Sequence, residues 1–171
     1  MGRPADLWQL SISVDKCCVL SAGKVDPMVD VSISGAVLPH VTSCRDMGVT
    51  VASDLSFSMH VKIIVAKAHQ RANVIHRCFI SRNTDLLVRA YLTYVRPLLE
   101  YNSIIWSPHS KGDVDAIEKV KRRFTKRIPG FKNYSYVERF HLLHMPRLEM
   151  RRMQNDLIWC YKILFTRATL C

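Results

Sequence analysis

Hydrophobic positions change their period once along this chain. Up to about residue 55 they alternate with polar ones, and from Ser56 they recur every three or four residues. Trp8, Leu10, Ile12 and Val14 alternate with Gln9, Ser11 and Ser13, the period of a half-buried strand over 8–14. The apolar run "CCVLSAG" (17–23) predicts a second short strand ended by Gly23. "MVDVSISG" (28–35) alternates again before a turn at Gly35, and "CRDMGVTV" (44–51) reads as one more strand. Four of the six glycines precede position 50, as expected of a region rich in hairpins.

Beyond Ser56 the spacing is helical. Val61, Ile64, Val65, Ala68, Ala72, Ile75 and Phe79 form one stripe, with Lys62, His69, Gln70, Asn73 and Arg77 facing away from it. Asn83 or Thr84 can cap a second helix, "DLLVRAYLTYVR", closed or kinked at Pro97. The aromatic stretch "PLLEYNSIIWSP" (97–108) is expected to pack centrally. A third helix starts near Asp113 and stops at Pro129-Gly130; "SYVE" (135–138) has the form of a capping box. Over 147–165 a last helix sets Leu157, Ile158, Tyr161, Leu164 and Phe165 along one side. The expected fold class is therefore α+β, mostly α: a β-hairpin region over 1–55, then a bundle of about five helices over 56–171.

Charge follows the same division. Residues 1–60 hold four Lys/Arg and six Asp/Glu, a net of −2, whereas residues 61–171 hold 21 and eight, a net of +13. So uneven a distribution suits a polyanionic partner, nucleic acid being the commonest, although a basic surface that only confers solubility fits composition equally well. No apolar run approaches the roughly 20 residues of a membrane helix, so no membrane partner is expected. The start "MGRPADLWQL" lacks the apolar core of a signal peptide, which predicts an intracellular protein, nuclear or cytoplasmic. Six cysteines without a CxxC pair do not make a disulfide scaffold.

Catalytic chemistry is thinly supplied. Phosphoryl and nucleotidyl transfer need two or three carboxylates converging on Mg²⁺, and the 14 acids here are scattered. Asp113 and Asp115 make the one DxD pair, at a helix start where acids complement the helix dipole. "HRC" (76–78) and "HLLH" (141–144) lack a second ligand pair at zinc spacing, so no metal site is expected.

The third helix carries the sharpest signal, with six cations within the nine positions from Lys119 to Arg127. At about 100° per residue from Val114, Ile117, Val120, Phe124 and Ile128 fall between about 240° and 320°, and Lys119, Arg122, Arg123 and Lys126 between about 80° and 180°. Glu118 lies just outside this cationic stripe. Solvated faces ordinarily mix signs, because opposite charges four apart support a helix and like charges oppose it. A single-sign stripe suits phosphates, with no base readout. Lys121 falls near the apolar side and must snorkel or find a partner. Tyr91, Tyr94, Tyr101 and Trp106 suit a packed core better than a base-stacking platform.

Four stretches, "WQLSISVDKCCVL", "CRDMGVTVASDLSFSMHV", "YVRPLLEYNSIIWSP" and "IEKVKRRFTKRIPG", follow one another in an order and spacing that resemble the reverse transcriptases of LINE-type (non-LTR) retrotransposons, the jockey and CR1-like branch above all. The resemblance runs from about residue 7 to about 165. It implies a right-hand polymerase in which residues 7–23 match the end of the palm (motif D), 44–51 the primer-grip turn (motif E) and the helical remainder the thumb. Asp46-Met47-Gly48-Val49 stands where the family has "DLGV". Lys16 matches the motif D lysine held to donate a proton to the leaving pyrophosphate.

The family's motif A aspartate and "FADD"-type pair would precede Lys16, and the 171 residues contain neither. The resemblance therefore implies a truncated polymerase fragment, lacking its fingers and most of its palm, inactive alone and without the Mg²⁺ of the intact enzyme. It implies an RNA or RNA–DNA duplex backbone as partner, held by Lys119, Arg122, Arg123 and Lys126, with Lys62, Lys67 and Arg71 on the first long helix as further contacts. A stand-alone basic binding module, or a decayed product without function, remains the alternative.

Overall fold

A computed structural model describes residues 12–23, 30–79 and 83–168, with side chains to 165. The chain divides into two compact units, residues 1–57 and 58–171. The fold is α+β and mostly helical: a few short strands are followed by a bundle of seven helices among the described residues.

The first unit is built from turns that reverse a short chain. Of the predicted strand 8–14, residues 8–11 lie outside the described residues. The rest is not a strand, because Val14–Lys16 forms a 3₁₀ turn closed by Lys16 N–H to Ser13 O (3.1 Å) and Cys17 N–H to Val14 O (2.9 Å). Strand β1 (Val19–Leu20) pairs in parallel with β4 (His40–Val41). Strands β2 (Ser32–Ile33) and β3 (Ala36–Val37) form a hairpin around Ser34 and Gly35, both at positive φ as a type I′ turn requires.

The predicted single strand at 44–51 is instead a hairpin, β5 (Ser43–Asp46) with β6 (Val49–Ala52). Met47 (φ 44°) and Gly48 (φ 84°) reverse the chain, Gly48 at no steric cost and Met47 against its Cβ. Among the described residues of this unit, Val49 and Leu38 are the buried side chains.

In the second unit, α1 (Ser58–Cys78) buries Val61, Ile64, Ala68, Ala72 and Ile75, the expected stripe. Helix α2 (Thr84–Tyr94) is capped by Asn83, whose side chain accepts the Leu86 N–H at 3.1 Å. The chain then breaks rather than kinks: α3 (Arg96–Glu100) restarts with Pro97 in its first turn, where the missing N–H costs nothing, and Asn102 at φ 52° separates it from α4 (Ser103–Trp106). These two short helices raise the expected five to seven.

Helix α5 (Lys111–Lys126) begins two residues before the predicted Asp113 cap. Asp113 lies in its first turn and accepts a hydrogen bond from Ser58 Oγ at 2.7 Å, joining the starts of α1 and α5. The stop at Pro129-Gly130 holds, with Gly130 at φ 85°. Helix α6 (Tyr136–Leu142) has the predicted capping box, Ser135 and Glu138 exchanging hydrogen bonds. Helix α7 (Leu148–Ala168) closes the unit.

The core forms where α1, α2 and α5 meet over the aromatic stretch. Tyr91, Trp106, Leu99, Ile117 and Phe124 are inaccessible to solvent or nearly so. Phe124 packs against Tyr91 (centroids 4.8 Å apart) and His76 (4.5 Å), and Trp106 meets the edge of His60 at 5.2 Å. The aromatic residues thus divide: Tyr91 and Trp106 are core, whereas Tyr94 and Tyr101 are exposed. Truncating the central ring should be costly and removing a cap mild. Phe124→Ala is expected to lose about 3–5 kcal/mol and Asn83→Ala about 1 kcal/mol of unfolding free energy, read by urea denaturation; equal losses would contradict the central place given to Phe124.

Candidate nucleic-acid interface

Helix α5 presents two faces of opposite character. Ile117, Val120 and Phe124 turn inward, and Lys119, Arg122, Arg123 and Lys126 are exposed on the other side, as the wheel predicts. One acid relieves the stripe: Asp115 sits 3.8 Å from Arg122, both about half exposed, a pairing worth little in water. The Arg122 guanidinium also lies over the Tyr136 ring, 5.0 Å from its centroid.

Helices α1 and α5 run parallel. Ser58 meets Asp113 at their starts, and Arg127 donates to Asn73 Oδ1 (2.6 Å) near their ends. Between these points His69 faces Lys119 and Arg123. Burial holds the His69 imidazole below its ordinary range, and the two cations push it further down. His76, beside Arg127, is lowered for the same reasons, burial first.

Lys62, His69, Asn73 and His76 are spaced seven, four and three apart, which on a helix is one flank. Exposed Lys62 therefore extends the α5 stripe across the seam. Lys67 and Arg71 lie roughly 160° around α1 from His69, on the opposite flank. Arg71 donates to Tyr94 O (3.4 Å) and borders a cavity of about 400 Å³ with Val74, Cys78 and Phe79. Of the seven candidate cations, five share one seam and two do not. Lys16 belongs to the first unit, where it is exposed at the end of the 3₁₀ turn.

Beneath the stripe lies a polar cluster that the sequence pattern did not disclose. Lys121 is 1% exposed, and its ammonium donates to Met145 O and Pro146 O, both at 2.8 Å, 3.7 Å from Glu118. Glu118 is itself buried and accepts from the Tyr136 hydroxyl and from the Leu148 N–H (3.2 Å). Lys121 therefore does not snorkel; it is enclosed with partners. No group of three or more His, Cys, Asp or Glu among the described residues could hold a metal ion, so no Mg²⁺ step is assigned to them. No described helix is long and apolar enough to cross a membrane.

Comparison with known proteins gives a distant relationship. The chain is 25% identical over 123 residues to an uncharacterized protein of Caenorhabditis elegans, covering 70% of this chain and 62% of that protein. It is 24% identical over 130 residues to the RNA-directed DNA polymerase from mobile element jockey of Drosophila melanogaster, covering 74% of this chain and 14% of the polymerase. The chain thus matches under two thirds of the first relative's length and about one seventh of the second's. No family model and no solved structure matches.

The buried cluster makes stability depend on pH in a defined direction. Burial brings the Lys121 pKa down to about 8 from 10.5, with Glu118 opposing the shift. Across that interval the unfolded chain binds more protons than the folded one, so Lys121 makes stability rise with pH. Burial raises the Tyr91 and Tyr136 phenols above their ordinary value of 10.0, so beyond that value the unfolded chain loses protons first and stability falls. Thermal melts should therefore show stability climbing from pH 8 toward 10 and declining above it. Lys121→Met should flatten the climb, and an unchanged climb in that variant would overturn the assignment.

Proposed function

We propose that this chain corresponds to the end of the palm and the thumb of a LINE-type reverse transcriptase, and that its helical unit holds an RNA–DNA duplex by the phosphate backbone. The observation that carries the binding is the exposed single-sign seam of Lys62, Lys119, Arg122, Arg123 and Lys126. The distant similarity to the jockey polymerase supports the parentage. Five cations along two parallel helices suit phosphates, and none is committed to a buried partner that a ligand would have to displace. Lys67 and Arg71, on the other flank, are not part of this surface. In the intact polymerase Lys16 would act near the leaving pyrophosphate, and palm residues outside these 171 would supply the carboxylates that hold Mg²⁺. The setting is intracellular, where such a duplex is found.

Binding measured against salt tests this. Each phosphate neutralised releases counterions, so log K for a hybrid duplex should fall steeply and linearly with log salt. Replacing Lys119, Arg122, Arg123 and Lys126 by Gln should cut the slope by about 3–4, whereas Lys67→Gln with Arg71→Gln should leave it nearly unchanged. Bound phosphate should also raise the His69 pKa, followed by NMR. A slope near zero in the unaltered chain would sink the proposal. Mixed with primer, template, nucleotides and Mg²⁺ or Mn²⁺, these 171 residues alone should extend no primer; incorporation above background would show that they suffice for nucleotidyl transfer.

A further inference from the structure

Helix α7 leaves the bundle with its apolar side uncovered. Only its first turns are packed, through buried Leu148 and Arg152; every described side chain from Leu157 to Phe165 is exposed. Met150, Met153, Leu157, Cys160 and Leu164 follow one another at intervals of three, four, three and four, a single seam along the helix. This spacing is the one by which two helices interlock side chains over several turns. Leu157 and Leu164, the middle and end of the seam, are 68% and 69% exposed. Tyr161 and Phe165 flank it, with their rings 4.4 Å apart, and Ile158, Trp159 and Ile163 on the other faces are exposed as well.

We infer that this seam is covered by the same seam of a second copy of the chain, in a two-fold symmetric dimer. Area supports that occupant. The six large side chains of the seam and its flank leave on the order of 700 Å² in water, above the ~300–600 Å² of a typical monomer's largest patch and close to the ~800 Å² that each partner covers in a stable interface. Charge permits it: from Met150 to Leu164, Arg151 is held by Glu100, Arg152 is buried, and Asp156 and Lys162 balance. Two copies whose net charge is +11 can therefore approach here without bringing their basic seams together.

Shape adds a direction. At the foot of α7 an apolar groove of about 310 Å³ is lined by Val137, Phe140 and Met150, among others. An antiparallel crossing at Leu157 sets the Leu164–Phe165 end of one copy beside Met150 of the other, over that groove. Such an interface is self-complementary, as two-fold symmetry requires.

Sedimentation of the full chain at micromolar concentration, with reductant present so that Cys160 cannot cross-link, tests the inference. The unaltered chain should sediment as a dimer. Leu157→Glu, Leu164→Glu and the groove variant Val137→Glu should each halve the sedimenting mass. All three positions are exposed, so the melting temperature of the monomer should be little changed and serves as the control for folding. An unaltered chain that sediments as a monomer overturns the proposal, whether it floats with anionic phospholipid vesicles instead or binds neither. Dimers that persist in Leu157→Glu place the contact elsewhere and overturn it too. The salt slope for duplex binding should be the same in Leu157→Glu, so failure here is separable from failure of the nucleic-acid reading.

Discussion

The Glu118–Lys121 pair is buried inside helix α5, and the arrangement of the helical unit depends on how its charges are satisfied. Isolated ions in an apolar interior cost several kcal/mol each, so each must be surrounded by partners. Lys121 spends its protons on the carbonyls of Met145 and Pro146, just beyond the end of α6. Glu118 takes the Leu148 N–H at the start of α7, one of the donors a helix leaves unpaired there, and its charge suits the positive end of that helix. It also takes the Tyr136 hydroxyl at the start of α6. Two side chains three residues apart thus fix one end of α6, the link after it, and the direction in which α7 departs. Losing either partner would leave the other charge buried, which makes the pair a device for register more than a source of net stability.

The outer surface of α5 follows from this inner one. Because Lys121 is turned inward, the exposed stripe is free of a cation that would have broken its line with the apolar side. Tyr136 joins the two layers: its hydroxyl reaches Glu118 below while its ring lies under the Arg122 guanidinium above. Arg122 is thereby held in place by a flat apolar support and one exposed acid. Burial lowers the His69 imidazole first, and Arg123 and Lys119 lower it further across the seam with α1.

Much of this was legible in residue order. The buried stripe of α1, the inner and outer faces of α5, the capping box of α6 and the extent of α7 all follow from periods and caps that act within a few residues. The rest depends on contacts between distant segments. Glu118 looked like a rim residue because its partners, Tyr136 and Leu148, lie 18 and 30 positions away. The wheel separates Lys62 from Lys67 and Arg71, yet it takes contacts such as Arg127–Asn73 and His76–Phe124 to tell which flank of α1 meets α5. The hairpin at 43–52 read as one strand because methionine rarely takes positive φ, leaving Gly48 as the single turn signal. Pro97 announced a break, but that two short helices follow it was decided by packing around Trp106, whose indole donates to Tyr101 O at 2.7 Å.

Helix α7 inverts the usual relation between pattern and burial. Its apolar residues lie on every face beyond Asp156, yet it is anchored only at its foot, where Arg151 clasps Glu100 through two hydrogen bonds (2.5 and 3.2 Å) and Glu118 receives Leu148. The segment beyond Asp156 is rich in β-branched and aromatic residues, and helices of fewer than about 12–15 residues are marginal in water even when made of better formers. That segment continues a 21-residue helix already nucleated at its packed foot, and cover on its apolar side would add to what propagation supplies. The anchor sets where that side faces, and the anchor is built on the same buried glutamate that organises α5. Glu118 and Glu100 together thereby set the direction of the apolar seam, and Glu118 also underlies the basic one.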